Sequence, residues 1–382
     1  MAKRVLKTEL CDMLGIEYPI LSAGMGPNLL GEETGAPVDL VVAVSEAGGL
    51  GVLGASGYNI GEMREAIRDI KSRTDKPFGV DILLPKNIVQ LESAAADGEM
   101  PLSDLLKTIP QSHQDFIKKV KADMDLPDVE IMVKMNSTTM NPKGAVEAIL
   151  EEDVPLFCAG LGDPGFMVED AHAKGIKVLA ITGNTKNAKR MADSGIDLLV
   201  AQGHEAGGHT GRIGTMALVP PCIDAAYPVP VLAAGGIGDG RGLAAALAMG
   251  CVGVWVGTRF LATEEGGAPD AIKKHITEAT DEGTKVSTMF TGKTLRAIKS
   301  QFHTMWEESG LEPLPFPLQI LIASELLAAF LQSNKDEYVG GFAGQVSGLI
   351  KEIKPASQVL EEMVEEAADI LTKKLPESVT VG

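Results

Sequence analysis

The sequence predicts an α/β fold: a (β/α)8 TIM barrel with an insertion after strand 3 and a mostly helical C-terminal cap. Three observations lead there. Eight short apolar, β-branched runs alternate with helical patterns up to about residue 260, the helical patterns tend to close on Gly or Asn, and the alternation stops after residue 265. Strands buried on both sides and joined by crossover helices form a parallel sheet, and eight such units favour closure into a barrel.

In chain order the runs are YPILS (18–22), LGVLG (50–54), FGVDILL (78–84), VPLFC (154–158), KVLAI (177–181), DLLVA (197–201), VPVLAA (229–234) and CVGVWV (251–256). The helical patterns between them include VDLVVAVSEAG, NIGEMREAIRDIKSRT, NPKGAVEAILEED, GFMVEDAHAKG, NTKNAKRMADSG and GRGLAAALAMG. The barrel is expected over 1–264. Residues 85–140, which include SDLLKTIPQSHQDFIKKVKADM, are too long for an ordinary βα loop and are expected as an insertion on the catalytic face. Residues 265–382, with PFPLQILIASELLAAFLQS and VLEEMVEEAADILTKKL, read as a helical cap over the substrate region.

Composition bounds the function. A chain of 382 residues with 43 Gly, 21 Pro and 45% hydrophobic residues suits a globular protein of short elements and tight turns. Its net charge of -18 opposes nucleic acid and anionic membrane surfaces, so a phosphorylated ligand must be held by local backbone donors. The uncharged run from Gly242 to Thr258 is divided by Gly250, Gly253 and Gly257 into a helix and a strand, which argues against a membrane span. Four scattered cysteines (Cys11, Cys158, Cys222, Cys251) without CxxC spacing, and an N-terminus unlike a signal peptide, point to the cytoplasm.

Active residues in such barrels sit where strands end, and phosphates commonly bind after strands seven and eight. Those places hold VLAAGGIGDGRG (231–242) and GTRFLATEE (257–265). Gly235, Gly236 and Gly238 let the chain wrap a phosphate with N–H groups beside a helix N-terminus, and Gly257 with Thr258 adds two amides and a hydroxyl. The loop leaving strand six, AQGHEAGGHTG (201–211), presents His209 on flanking glycines as a candidate general base or proton donor. His204 lies nearer the strand, where a backbone-bonded role and a functional one both stay open. No metal is expected: no Cys or carboxylate stands at ligand spacing from the two histidines, and strand alternation turns Glu205 elsewhere.

Gly24, Met25 and Gly26, after the first strand, form a small-residue rim that a flat ligand could approach. Asp81, an acid inside a buried strand, needs a hydrogen-bond partner, either a ligand or a neighbouring backbone or Ser group. Neither a P-loop, a GxGxxG after the first strand nor a GxSxG elbow occurs. Cys158 and Cys251 fall in expected strands and read as packing residues. His113, His172, His275 and His303 read as structural.

Taken together, YPILSAGMG, AQGHEAGGHTG, LAAGGIGDGRG and GTRFLATEE resemble, in order, the nitronate monooxygenase family, formerly called 2-nitropropane dioxygenases, and its relatives the flavin-dependent enoyl-acyl-carrier-protein reductases. The resemblance runs through the barrel into GFAGQVSGLIKEIKPASQVLEEMVEEA and leaves 85–140 unmatched. It implies non-covalent FMN, with its phosphate at Gly235, Gly236, Gly257 and Thr258 and its ring along Ala23, Gly24 and Met25. Gln202, Gly207 and Gly208 would also contact the cofactor, and His209 would be catalytic. Two positions depart from the family pattern: Asp81 stands where Asn is usual and Thr182 where Lys is frequent, so the cofactor contacts there differ.

The expected activity is FMN-dependent oxidation of alkyl nitronates with O2. The alternative is an NAD(P)H-dependent FMN reductase acting on an enoyl thioester of CoA or acyl carrier protein, or on a quinone, a reading the insertion favours if it shapes the mouth for a bulky substrate. A binding barrel without turnover is a third reading. An inosine-monophosphate-dehydrogenase type is a fourth, but no cysteine sits where its catalytic loop requires one. Partners are a small-molecule substrate, with O2 or NAD(P)H as co-substrate, and a homodimer is compatible with the sequence.

Overall fold

A computed structural model describes residues 5–27, 34–84, 107–129, 137–139, 141–316 and 318–380. Among the described residues nine strands precede the cap: β1 (Ile20–Ser22), β2 (Gly51–Gly54), β3 (Phe78–Leu83), β4 (Leu156–Leu161), β5 (Lys177–Thr182), β6 (Leu198–Gln202), β7 (Gly208–His209), β8 (Val231–Ala234) and β9 (Gly253–Val256). All but the short β7 join one sheet in the order β1-β9-β8-β6-β5-β4-β3-β2, with parallel pairing throughout. A parallel bridge between Leu21 and Leu50 closes it, with Ser22 N–H donating to Leu50 O and Leu50 N–H to Ile20 O, each at 3.0 Å. The predicted eight-unit barrel is the observed one.

Alternating strand side chains account for its two cores. One set, including Leu21, Val52, Leu156, Leu179, Leu198 and Leu232, fills the interior, and Leu10, Cys11 and Leu14 of the helix Glu9–Leu14 join this cluster and plug one end. The other set packs outward on the crossover helices. Helix Ile60–Arg73 shows why those helices begin where they do: the Asn59 side chain accepts from Glu62 N–H while the Glu62 carboxylate accepts from Asn59 N–H, a reciprocal cap.

Two features differ from the sequence reading. Helix Ala356–Asp369, read there as part of the cap, lies against the helices Gly240–Ala248 and Val38–Glu46 and buries Val359, Leu360 and Met363 in the barrel's outer core. It fills the place of an eighth barrel helix, so the cap segment is threaded between β9 and that helix. The cap also contains strands: β10 (Thr284–Ser287) and β11 (Leu295–Ile298) pair antiparallel, and β11 pairs with β7, placing Leu295 opposite His209.

The cap helices Asp270–Glu278, Gln301–Ser309 and Leu318–Gln332 enclose a second core, in which the rings of Phe302 and Trp306 meet edge-on with centroids 6.2 Å apart. Of the segment 85–140, only 107–129 and 137–139 lie within the described residues. Its helix Gln111–Met124 places Ile117 and Val120 in the cap's core, next to Leu318–Gln332. Among the described residues no helix is long and apolar enough to cross a membrane.

Candidate active site

The carboxyl ends of the strands and the underside of the cap enclose a cavity of about 970 Å³. That is at the upper end of the roughly 300–1,000 Å³ typical of ligand and cofactor pockets, enough for a cofactor with a substrate beside it. Ala23, Gly24, Met25, Asp81, Gln202, Gly207, Gly208, His209, Gly235, Gly236, Gly257 and Thr258 all contribute to its walls. Thr182 does not. Its buried hydroxyl donates to Asn184 O at 3.1 Å and closes the turn after β5.

After β8, Gly235 and Gly236 take φ of +93° and +73°, the left-handed region open to glycine. A Cβ on Gly235 would lie 3.0 Å from Gly203 O and 3.0 Å from Thr215 Oγ1. The amides of Gly235, Gly236, Gly257 and Thr258 donate to no acceptor among the described residues. Thr258 Oγ1 accepts the Gly344 amide at 2.9 Å, which leaves its own proton free to donate. Four open amides and a hydroxyl at adjacent rims form an anion cradle without a cationic side chain. Glu205, which also reaches the cavity edge, is turned back: its carboxylate accepts from the backbone and hydroxyl of Thr215 at 2.9–3.0 Å, capping helix Thr215–Ala226.

On the opposite wall Asp81 is 5% exposed, and its Oδ1 accepts the Gly160 amide at 2.7 Å. Desolvation outweighs that one bond and holds the carboxyl well above the usual carboxylate range. Gly24 must be glycine here, because a Cβ would collide with the Asp81 side chain.

His209 is held from two sides. Gln202 Nε2 donates to its carbonyl at 2.9 Å, and β11 pairs with its backbone. Burial first, and then the nearby Lys293 ammonium, push the imidazole down to about 4, so it is neutral at physiological pH. Its Nε2 lies 3.0 Å from Thr291 Oγ1. His204 takes the backbone-bonded role, with Nδ1 2.8 Å from Gly211 O. Thr291 and Lys293, which act on His209, are among the site residues that the sequence reading missed. They lie 82 and 84 positions beyond His209, in a stretch whose local pattern marks no function.

A closed barrel with open amides after its last two strands and a buried histidine at the mouth is a site able to hold a phosphorylated ligand. The sequence profile of the nitronate monooxygenase family matches residues 7–366, and the chain belongs to that family. It is 35% identical, over 95% of its length and 97% of the relative's, to a Mycobacterium tuberculosis protein provisionally named a monooxygenase. Among solved structures, FabK of Thermotoga maritima superposes with a TM-score of 0.74 at 30% identity, covering 98% of this chain and 100% of that one. Nitroalkane oxidase of Streptomyces ansochromogenes gives 0.76 at 25% identity, covering 95% and 99%. The protein is a flavin-dependent oxidoreductase acting on a small molecule.

Proposed function

We propose that the chain binds FMN and oxidises alkyl nitronates with molecular oxygen. The phosphate would rest on the amides of Gly235, Gly236, Gly257 and Thr258 and the Thr258 hydroxyl, with the ring along Ala23, Gly24 and Met25. The residues fit such a group: the cradle is rich in open donors, and glycine stands where a side chain would intrude. FMN, when bound, supplies a two-electron acceptor that returns those electrons to oxygen.

The observation that carries the reading is the buried, uncharged His209 facing this space beside Lys293. At neutral pH an imidazole of this kind accepts rather than delivers a proton. A negatively charged substrate entering beside it favours the imidazolium, so His209 can hold a nitronate or take the proton of its parent carbon acid. Phe316, Ile320, Leu321 and Phe342 line the same space with an apolar cap wall.

One observation favours the second reading, an NAD(P)H-dependent reductase of an enoyl thioester or quinone: that apolar wall offers more surface than a short nitronate covers. Oxygen uptake with ethyl or propyl nitronate, set against anaerobic bleaching by NADH or NADPH, separates the two. Oxygen consumption is expected. Its absence, together with rapid bleaching by a pyridine nucleotide, overturns the proposal in favour of the reductase.

A further inference from the structure

Thr291 is 2% exposed and sits in the turn before β11, far in sequence from every barrel motif. Its hydroxyl has three neighbours: His209 Nε2 at 3.0 Å, Lys293 O at 3.3 Å and Lys293 N at 3.3 Å. The Lys293 amide can only donate and the Lys293 carbonyl can only accept. A hydroxyl has one proton and two lone pairs. All four groups are satisfied in one arrangement: Lys293 N–H and His209 Nε2–H both donate to Oγ1, and Oγ1–H donates to Lys293 O. In the opposite arrangement Thr291 gives its proton to Nε2 and the Lys293 carbonyl loses its donor.

The structure assigns to Thr291 the role of a positioning residue that fixes His209 as the Nε2–H tautomer and so turns the Nδ1 lone pair toward the cavity. Nδ1 has no hydrogen-bond partner among the described residues, and it is not one of the sealed, unsatisfied side-chain atoms. The atom that meets substrate is then an acceptor, Nδ1, and its proton-donating edge is committed to the cap. The backbone supports the same orientation, since Gln202 holds the His209 carbonyl and β11 pairs with β7. The cap thus sets the protonation pattern of a barrel residue.

This inference rests on the proposed role of His209 only for its consequence in turnover; the tautomer itself can be read without it. Nitrogen-15 NMR of the histidine-labelled full chain, as purified and after incubation with FMN, distinguishes Nδ1 from Nε2 protonation. The His209 signal is assigned by its loss in His209→Gln. Wild type is expected to show protonated Nε2 at neutral pH. In Thr291→Val the Nε2–H would face a methyl group, so the proton should move to Nδ1 with a change in tautomer ratio of roughly tenfold or more. Thr291→Ser should restore the original ratio.

A wild-type signal with protonated Nδ1 overturns the inference, and that measurement does not depend on any variant folding. An unchanged tautomer in a folded Thr291→Val also overturns it. If the wild-type tautomer is as expected while nitronate gives no oxygen uptake, the assignment of Thr291 stands and the proposed reaction falls.

Discussion

Asp81→Asn should change how stability depends on pH, in a direction fixed by burial. Asp81 is 5% exposed and has a single donor, the Gly160 amide at 2.7 Å, so its native carboxyl titrates well above the unfolded value of about 3.9. Between those two values the unfolded chain has lost the proton and the native protein keeps it, so stability is greatest below the unfolded pKa and falls as pH rises. The slope for one proton is about 1.36 kcal/mol per pH unit. Asparagine keeps an oxygen for Gly160 and cannot ionise, so this loss disappears. Urea unfolding of wild type and variant at pH 5, 6 and 7, with and without FMN, provides the assay. The variant's relative stability should grow as pH rises above the unfolded carboxyl value, by at most about 1.4 kcal/mol per pH unit, and level off where the native carboxyl ionises. A difference that stays constant across this range would mean that Asp81 ionises freely, and the argument from desolvation would be wrong.

Gly235→Ala forces a side chain to φ +93°, within 3.0 Å of Gly203 O, at a strain of about 1–2 kcal/mol. Both a lower melting temperature and weaker FMN retention in a fluorescence titration are expected. Thr258→Val removes the acceptor of the Gly344 amide and the hydroxyl donor of the cradle; FMN affinity should drop by about tenfold, with Thr258→Ser near wild type. His209→Gln should remain yellow yet lose roughly 10²–10⁴ in kcat/KM with nitronate. In wild type, kcat/KM should be level at neutral pH and change only where His209 gains its proton near pH 4; a limb close to 6.5 would contradict the burial of this imidazole.

Much of this was legible in the chain because it is local. Each strand end carries its own chemistry: Gly235 and Gly236 stand at the left-handed turn that follows β8, and the Gly207–Gly208–His209 element leaves β6 at the expected mouth. Other elements were hidden for identifiable reasons. Helix Thr215–Ala226 contains Pro220 and Pro221, which break the usual helical signal, and its first turn is held by Glu205 from the preceding loop. The strand character of β10 and β11 comes from pairing with each other and with β7, which a window along the chain does not contain. Helix Ala356–Asp369 looks amphipathic wherever it packs, and only its neighbours reveal that it belongs to the barrel.

The amino-acid order by itself determined the repeating strand and helix units, the glycine turns and the identity of the presented histidine, since periodicity and backbone conformation are properties of adjacent residues. Tertiary structure decided the rest: that burial raises the Asp81 carboxyl, that Gln202 and β11 grip His209, and that Thr291 meets its ring across 82 positions of chain. Desolvation and hydrogen-bond donor order depend on what surrounds a group in space, and in a barrel closed by a distant cap those surroundings come from segments that no local pattern connects.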